Sequence, residues 1–137
     1  MKVLLFFMLA EFMHIQVSIN DMNCLSCTES MVKAFEKIRG VKNVAISIPE
    51  GKVTLDLADQ NRVTLEQVWD VVKRIGFTPA DTKVTVRGAV KGDKLNVSGI
   101  DKTIVIEGHA SEGENIELKG TISPPADPRA PIKLRVN

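Results

Sequence analysis

From His14 onward apolar and polar positions alternate, with Ile15, Val17 and Ile19 on one side and His14, Gln16 and Ser18 on the other, which predicts a β-strand. The period then changes. Cys27, Met31, Ala34, Phe35 and Ile38 fall on one face of a helix. Ser26-Cys27-Thr28-Glu29 has capping-box spacing at its start, and Gly40 is placed to end it. Val44, Ile46 and Ile48 alternate with Ala45 and Ser47, Pro49-Glu50-Gly51-Lys52 reads as a turn, and Val53, Leu55 and Leu57 return as the second arm of an antiparallel hairpin. Thr64 to Gln67 is a second capping box, Val63 and Val68 have the spacing of a hydrophobic staple, and Leu65, Val68, Val72 and Ile75 form a buried stripe that Gly76 stops. A strand from about Lys83 completes a ferredoxin-like α+β arrangement, strand-helix-strand-strand-helix-strand. A unit of roughly 70 residues has a thin stability margin, to which a bound metal would add.

After Asp81 helical spacing vanishes. Val84-Val86, Leu95-Val97, Ile104-Ile106, Ile116-Leu118 and Ile132-Leu134-Val136 are short alternating runs bounded by Gly, Asp, Asn or Pro, which predicts a small all-β barrel or sandwich. Pro124-Pro125-Ala126-Asp127-Pro128 reads as an extended loop. The expected organisation is therefore an apolar extension at 1–12, an α+β unit at 13–86 and a β-rich unit of unknown role at 87–137. The strand around Val84 and Val86 can close the first sheet, start the second, or run through both.

Composition narrows the function. With 18 basic and 17 acidic side chains the chain has formal net charge +1, which gives no footprint for non-specific binding to nucleic acid or anionic lipid. The longest apolar run, Val3 to Ala10, has eight residues, against roughly 20 for a membrane-spanning helix. Met1-Lys2 before that run resembles the start of a secretory signal, but Met8, Glu11, Phe12 and Met13 supply no small-x-small cleavage pattern. An atypical signal or anchor, a true start at Met13 and a short membrane- or partner-binding tail are the three readings. The expected location is cytoplasmic, or periplasmic or membrane-associated if the segment acts as a signal or anchor.

Only two cysteines are present, too few and too close to staple a fold. They lie in Met22-Asn23-Cys24-Leu25-Ser26-Cys27, between a strand end and a helix start, where unpaired backbone N–H groups and the helix dipole favour thiolate. Two thiolates on one turn can converge on a soft ion that accepts low coordination, such as Cu(I). Structural zinc normally takes four ligands, and His14 and His109 are the other strong candidates, each read as a surface histidine. The same spacing at a helix start also serves thiol redox chemistry, although Leu25-Ser26 stands where Gly-Pro is common there. The acidic residues Asp93, Asp101, Glu107, Glu112, Glu114, Glu117 and Asp127, with His109, have the spacing of solvated turns. No nucleophile–base pair or phosphate loop is legible, so an enzyme is not expected.

Asp21 through Cys27, the helix through Ile38, Arg39-Gly40-Val41, the strand Val44 to Ile48, and Ile75-Gly76-Phe77 together resemble the heavy-metal-associated domain family. That family includes copper chaperones, N-terminal modules of metal-transporting P-type ATPases and the periplasmic mercury-binding protein. The resemblance covers about His14 to Val86. It implies that Cys24 and Cys27 are the metal ligands, that Met22 packs beneath the loop, and that Phe77 occupies the loop position near the metal. Asp21 departs from the usual Gly, and Asn23 from the usual Thr, Ser, His or Asp, which leaves metal preference open. The implied function is binding of a soft ion, Cu(I) before Hg(II) or Zn(II), and its transfer to a P-type ATPase or another metal-accepting protein. The implied state is a monomer, with a metal-bridged dimer as the variant. The alternatives are a thiol–disulfide oxidoreductase using the same pair, and a metal-responsive scaffold or sensor.

Overall fold

The computed structural model describes residues 11–137 apart from Asp21, Asn23, Gln60, residues 98–102, Pro128 and Asn137. The apolar start, Asn23 and Asp101 thus lie outside the described residues. The first unit runs β1 (Glu11–Ile19), α1 (Leu25–Glu36), β2 (Val41–Ser47), β3 (Lys52–Leu57), α2 (Leu65–Ile75) and β4 (Pro79–Lys91), the expected ferredoxin-like order. Its strands lie in the order β2-β3-β1-β4, every neighbouring pair antiparallel. Ile15, Val17, Val53, Leu55, Val84 and Val86 bury one face of this sheet with Met31 and Phe35 of α1 and Val68 and Val72 of α2. A register shift between Phe12 and His14 lets Phe12 join the same core, because one extra residue moves the following side chains to the opposite face.

Several boundaries differ from the sequence pattern, and β1 already begins at Glu11, inside the stretch expected as an extension. Helix α1 is capped by Cys24, whose sulfur accepts the Cys27 N–H, so the capping role passes two residues upstream of Ser26. At its other end the bonds tighten to Lys37 N–H to Ala34 O (3.3 Å) and Ile38 N–H to Phe35 O (3.0 Å). The helix is over by Glu36, and Gly40, at φ +102°, serves the turn into β2 instead. Strand β4 begins at Pro79 rather than near Lys83. Proline needs no ladder donor at the first position of a strand, and Pro79 lies opposite Ile19. Helix α2 follows the pattern, with the Thr64–Gln67 capping box formed and Gly76 left-handed at its end.

The remaining strands are β5 (Lys94–Asn96), β6 (Ile104–Glu107), β7 (Gly113–Ile122) and β8 (Ile132–Val136). With β4 they close a ring in the order β4-β5-β6-β8-β7 and back to β4, antiparallel except for β6 and β8. This is the five-stranded Greek-key closure of an OB-type barrel. Strand β4 runs through both units. Its 13 residues, roughly 43 Å at the strand rise, carry β1 on one edge and β7 on the other. No helix among the described residues is long and apolar enough to cross a membrane.

Two buried polar knots brace the first unit. Asn61 donates its side-chain N–H groups to Phe12 O (2.8 Å), Ala58 O (2.7 Å) and the Glu11 carboxylate (3.3 Å), and accepts from Val63 N–H (3.0 Å). Trp69, 4% exposed, donates its indole N–H to Thr82 Oγ1 (3.0 Å), and Thr82 donates to Ala80 O (3.1 Å). Helix α2 is thereby tied to the shared strand. Thr82→Val should leave the indole donor buried and unpaired, at a cost of about 1–3 kcal/mol. Denaturant unfolding followed by the fluorescence of Trp69 checks this, and Thr82→Ser should restore most of the loss.

Candidate thiol centre

Ile19 ends β1 with its N–H on Gly51 O (2.7 Å) and its backbone opposite Pro79. The end of β1, the β2–β3 turn and the loop from α2 into β4 therefore share one end of the sheet. Cys24 and Cys27 stand at that end, where α1 starts.

The structure brings the two sulfurs together as a disulfide. Cys24 is in an extended backbone conformation, and its Sγ accepts the Cys27 N–H at 3.2 Å. The Ser26 hydroxyl lies 3.4 Å from the same sulfur and, since the bonded sulfur has no hydrogen, donates to it. The first helical bond, Thr28 N–H to Cys24 O (3.1 Å), and Thr28 Oγ1 to Leu25 O (2.6 Å) fix the turn that carries both cysteines. No acidic residue stands in the first turn of α1. One N–H of the helix start, that of Cys27, thus points at sulfur, and electron-rich sulfur is what that positive end favours.

Met22 is 5% exposed and packs in the hydrophobic core beneath this segment. Phe77 is half-buried against the same core, on a loop held by Phe77 N–H to Val72 O (3.1 Å) and Gly76 N–H to Lys73 O (3.0 Å). His14 is not at this end: it lies on the solvent face of β1, with Nδ1 2.8 Å from Asp56 Oδ1. His109 is exposed in the turn between β6 and β7. Among the described residues no group of three or more His, Cys, Asp and Glu side chains converges. The cysteine pair, once reduced, offers two soft donors on one turn, an arrangement that suits an ion of low coordination number.

Sequence patterning missed the role of Cys24 as helix cap. Sulfur is an unusual cap, and the Ser26-x-x-Glu29 spacing two residues on gave the stronger signal. The pattern assigned no burial to Leu25, which stands 68% exposed between the two cysteines.

No family model matches the chain. A curated relative is the copper chaperone CopZ of Staphylococcus haemolyticus, 26% identical over 61 residues, which are 44% of this chain and 88% of that protein. The unit from β1 to β4 resembles the heavy-metal-associated domain in its cysteine motif and in its order of elements. Solved structures similar to this heavy-metal-associated-like unit include the yeast copper transporter domain Ccc2a, at 18% identity and TM-score 0.45, covering 53% of this chain and 93% of that one. Oxidized MerP from Ralstonia metallidurans is similar at 17% identity and TM-score 0.45, covering 50% of this chain and 94% of that one. In each case about half of this chain is matched.

Proposed function

We propose that this protein is a metal-handling module that binds a thiophilic ion through reduced Cys24 and Cys27. The observation that carries the reading is the convergence of the two sulfurs on one turn at the start of α1. Cu(I) is the first choice of ion, because two thiolates satisfy it without a third ligand, with Hg(II) and Zn(II) behind it. Low coordination leaves one side of the ion open. A partner thiolate can enter before a local one leaves, which passes the ion on without a free intermediate, and the natural recipient is a metal-transporting P-type ATPase or another metal-accepting protein. The role is binding and transfer, not catalysis. A curated relative named as a copper chaperone supports the metal assignment.

A second reading rests on a specific observation. The sulfurs are joined, and the joined form is held by the Cys27 N–H and the Ser26 hydroxyl. That geometry bears more directly on thiol–disulfide exchange than on Cu(I) transfer. The strand shared with the barrel likewise favours a metal-responsive scaffold over a free-standing carrier. The readings join if the pair opens for metal in a reducing cytoplasm and closes where the surroundings oxidise it.

Anaerobic titration of the fully reduced protein with Cu(I), Zn(II) and Hg(II) against a competing chelator tests the proposal. One tightly held soft ion per chain is the expected result. Failure of every ion to compete would sink metal handling and leave the same sulfurs to redox exchange.

A further inference from the structure

Helices α1 and α2 leave a groove between them of about 560 Å³. Its walls are apolar: Ala34 of α1 and Ile38 just past its end on one side, Val71 and Ile75 of α2 on the other. Val71 is buried, and the other three are partly covered against the core, so the groove opens onto the outer layer of the core itself. Ala34 contributes one methyl group, which leaves the gap between the helices unfilled where a longer side chain would close it.

The rim of the groove is cationic. Lys33, Lys37 and Arg74 stand along it, all exposed, and no acidic side chain among the described residues lines it. Neither lysine takes part in an ion pair among the described residues. Arg74 gives its Nε to Asp70 (3.0 Å), which leaves both terminal nitrogens of the guanidinium for another acceptor. The balanced composition of the chain, with net charge +1, hides this local excess.

An occupant complementary to such a surface has an apolar body and an anionic end. A free inorganic anion would leave the apolar walls in water. A bilayer surface, broad and flat, would meet the rim and not the walls below it. A single acyl chain ending in a carboxylate satisfies both parts. The groove has the size of a small-ligand pocket, roughly 300–1,000 Å³. Lysine stems lie along apolar surface with their ammonium groups at the water boundary, where a carboxylate sits, and the planar guanidinium of arginine matches a carboxylate in shape.

We propose that the α1–α2 groove binds a monomeric fatty acid, its carboxylate at Lys33, Lys37 and Arg74 and its acyl chain on the apolar walls. The site shares no residue with the cysteine pair and stands independently of the metal reading.

The test is a titration of 15N-labelled full-length protein with octanoate, decanoate and dodecanoate, each below its micelle concentration, and with decanol. One ligand per chain is expected, with amide shifts concentrated in α1 and α2. Two added methylenes should tighten binding about tenfold, close to their full transfer from water. Decanol, which lacks the charge, should bind about tenfold more weakly than decanoate. The double variant Lys33→Gln/Lys37→Gln should weaken decanoate about fivefold, as for two exposed charge pairs, and leave decanol unchanged. Lys73→Gln, the same charge change outside the groove, should alter neither.

Affinity that does not rise with chain length would overturn the proposal, as would decanol matching decanoate or amide shifts centred on the barrel. So would unchanged decanoate binding in the double variant, or an equal loss in Lys73→Gln. An acidic amphipathic peptide that shifts α1 and α2 where no fatty acid binds would overturn it too, and make the groove a protein-docking face. The titration uses no metal, so its failure is distinct from failure of the metal titration.

Discussion

Cys24→Ser and Cys27→Ser are each expected to weaken Cu(I) binding by roughly a thousandfold, about 4 kcal/mol, in competition titrations of reduced protein. The reason is the donor count. With two sulfurs at the turn and no further cluster among the described residues, losing one leaves a single thiolate and a water-exposed ion. The Cys24 variant also separates binding from folding. Its sulfur caps α1 by accepting the Cys27 N–H, and serine oxygen is a preferred cap, so Cys24→Ser should keep the melting temperature near that of the reduced wild type. His109→Ala, in an exposed turn on the barrel, should bind as wild type does. Binding lost equally in His109→Ala would mean that the barrel supplies a ligand, and retained affinity in both serine variants would refute the paired-sulfur site.

The first unit was legible because its elements are short and strongly periodic. The Thr64–Gln67 box, the Gly76 stop and the Val53–Leu57 alternation each depend on local chemistry, and each stands where the pattern put it. The five later strands were legible for the same reason. What escaped depends on contacts distant in sequence. Asn61 looks like a loop residue until β1 comes beside it and Glu11 and Phe12 offer oxygens 50 and 49 positions away. Closure of the barrel needs β6 and β8 to lie parallel, and no local signal specifies a pairing between strands separated by β7. Spacing singles out Cys24 and Cys27 as a pair but not their geometry: the capping sulfur and the exposed Leu25 follow from where α1 begins.

Gly120→Ala should be the most damaging single-atom change in the barrel, at about 3 kcal/mol, the upper range for overpacking. Gly120 lies on β7 opposite Val84 of β4 and Val136 of β8, at the seam that closes the ring. A methyl group there would collide with the Arg135 carbonyl oxygen and come within 2.7 Å of Leu134 Cδ1. The obstacle includes backbone, so a rotamer change cannot relieve it; β7 and β8 have to separate. The consequence reaches beyond the barrel, because β4 has β7 on one edge and β1 on the other. Loosening β7 removes the partner of the stretch of β4 that also carries Thr82, the acceptor for Trp69. We therefore expect one unfolding transition, in which the fluorescence of Trp69 and the exchange of β8 amides shift together in Gly120→Ala. If the Trp69 transition stays at its wild-type midpoint while β8 amides exchange freely, the chain divides into independent units near 86/87, and β4 transmits nothing between the thiol end and the barrel.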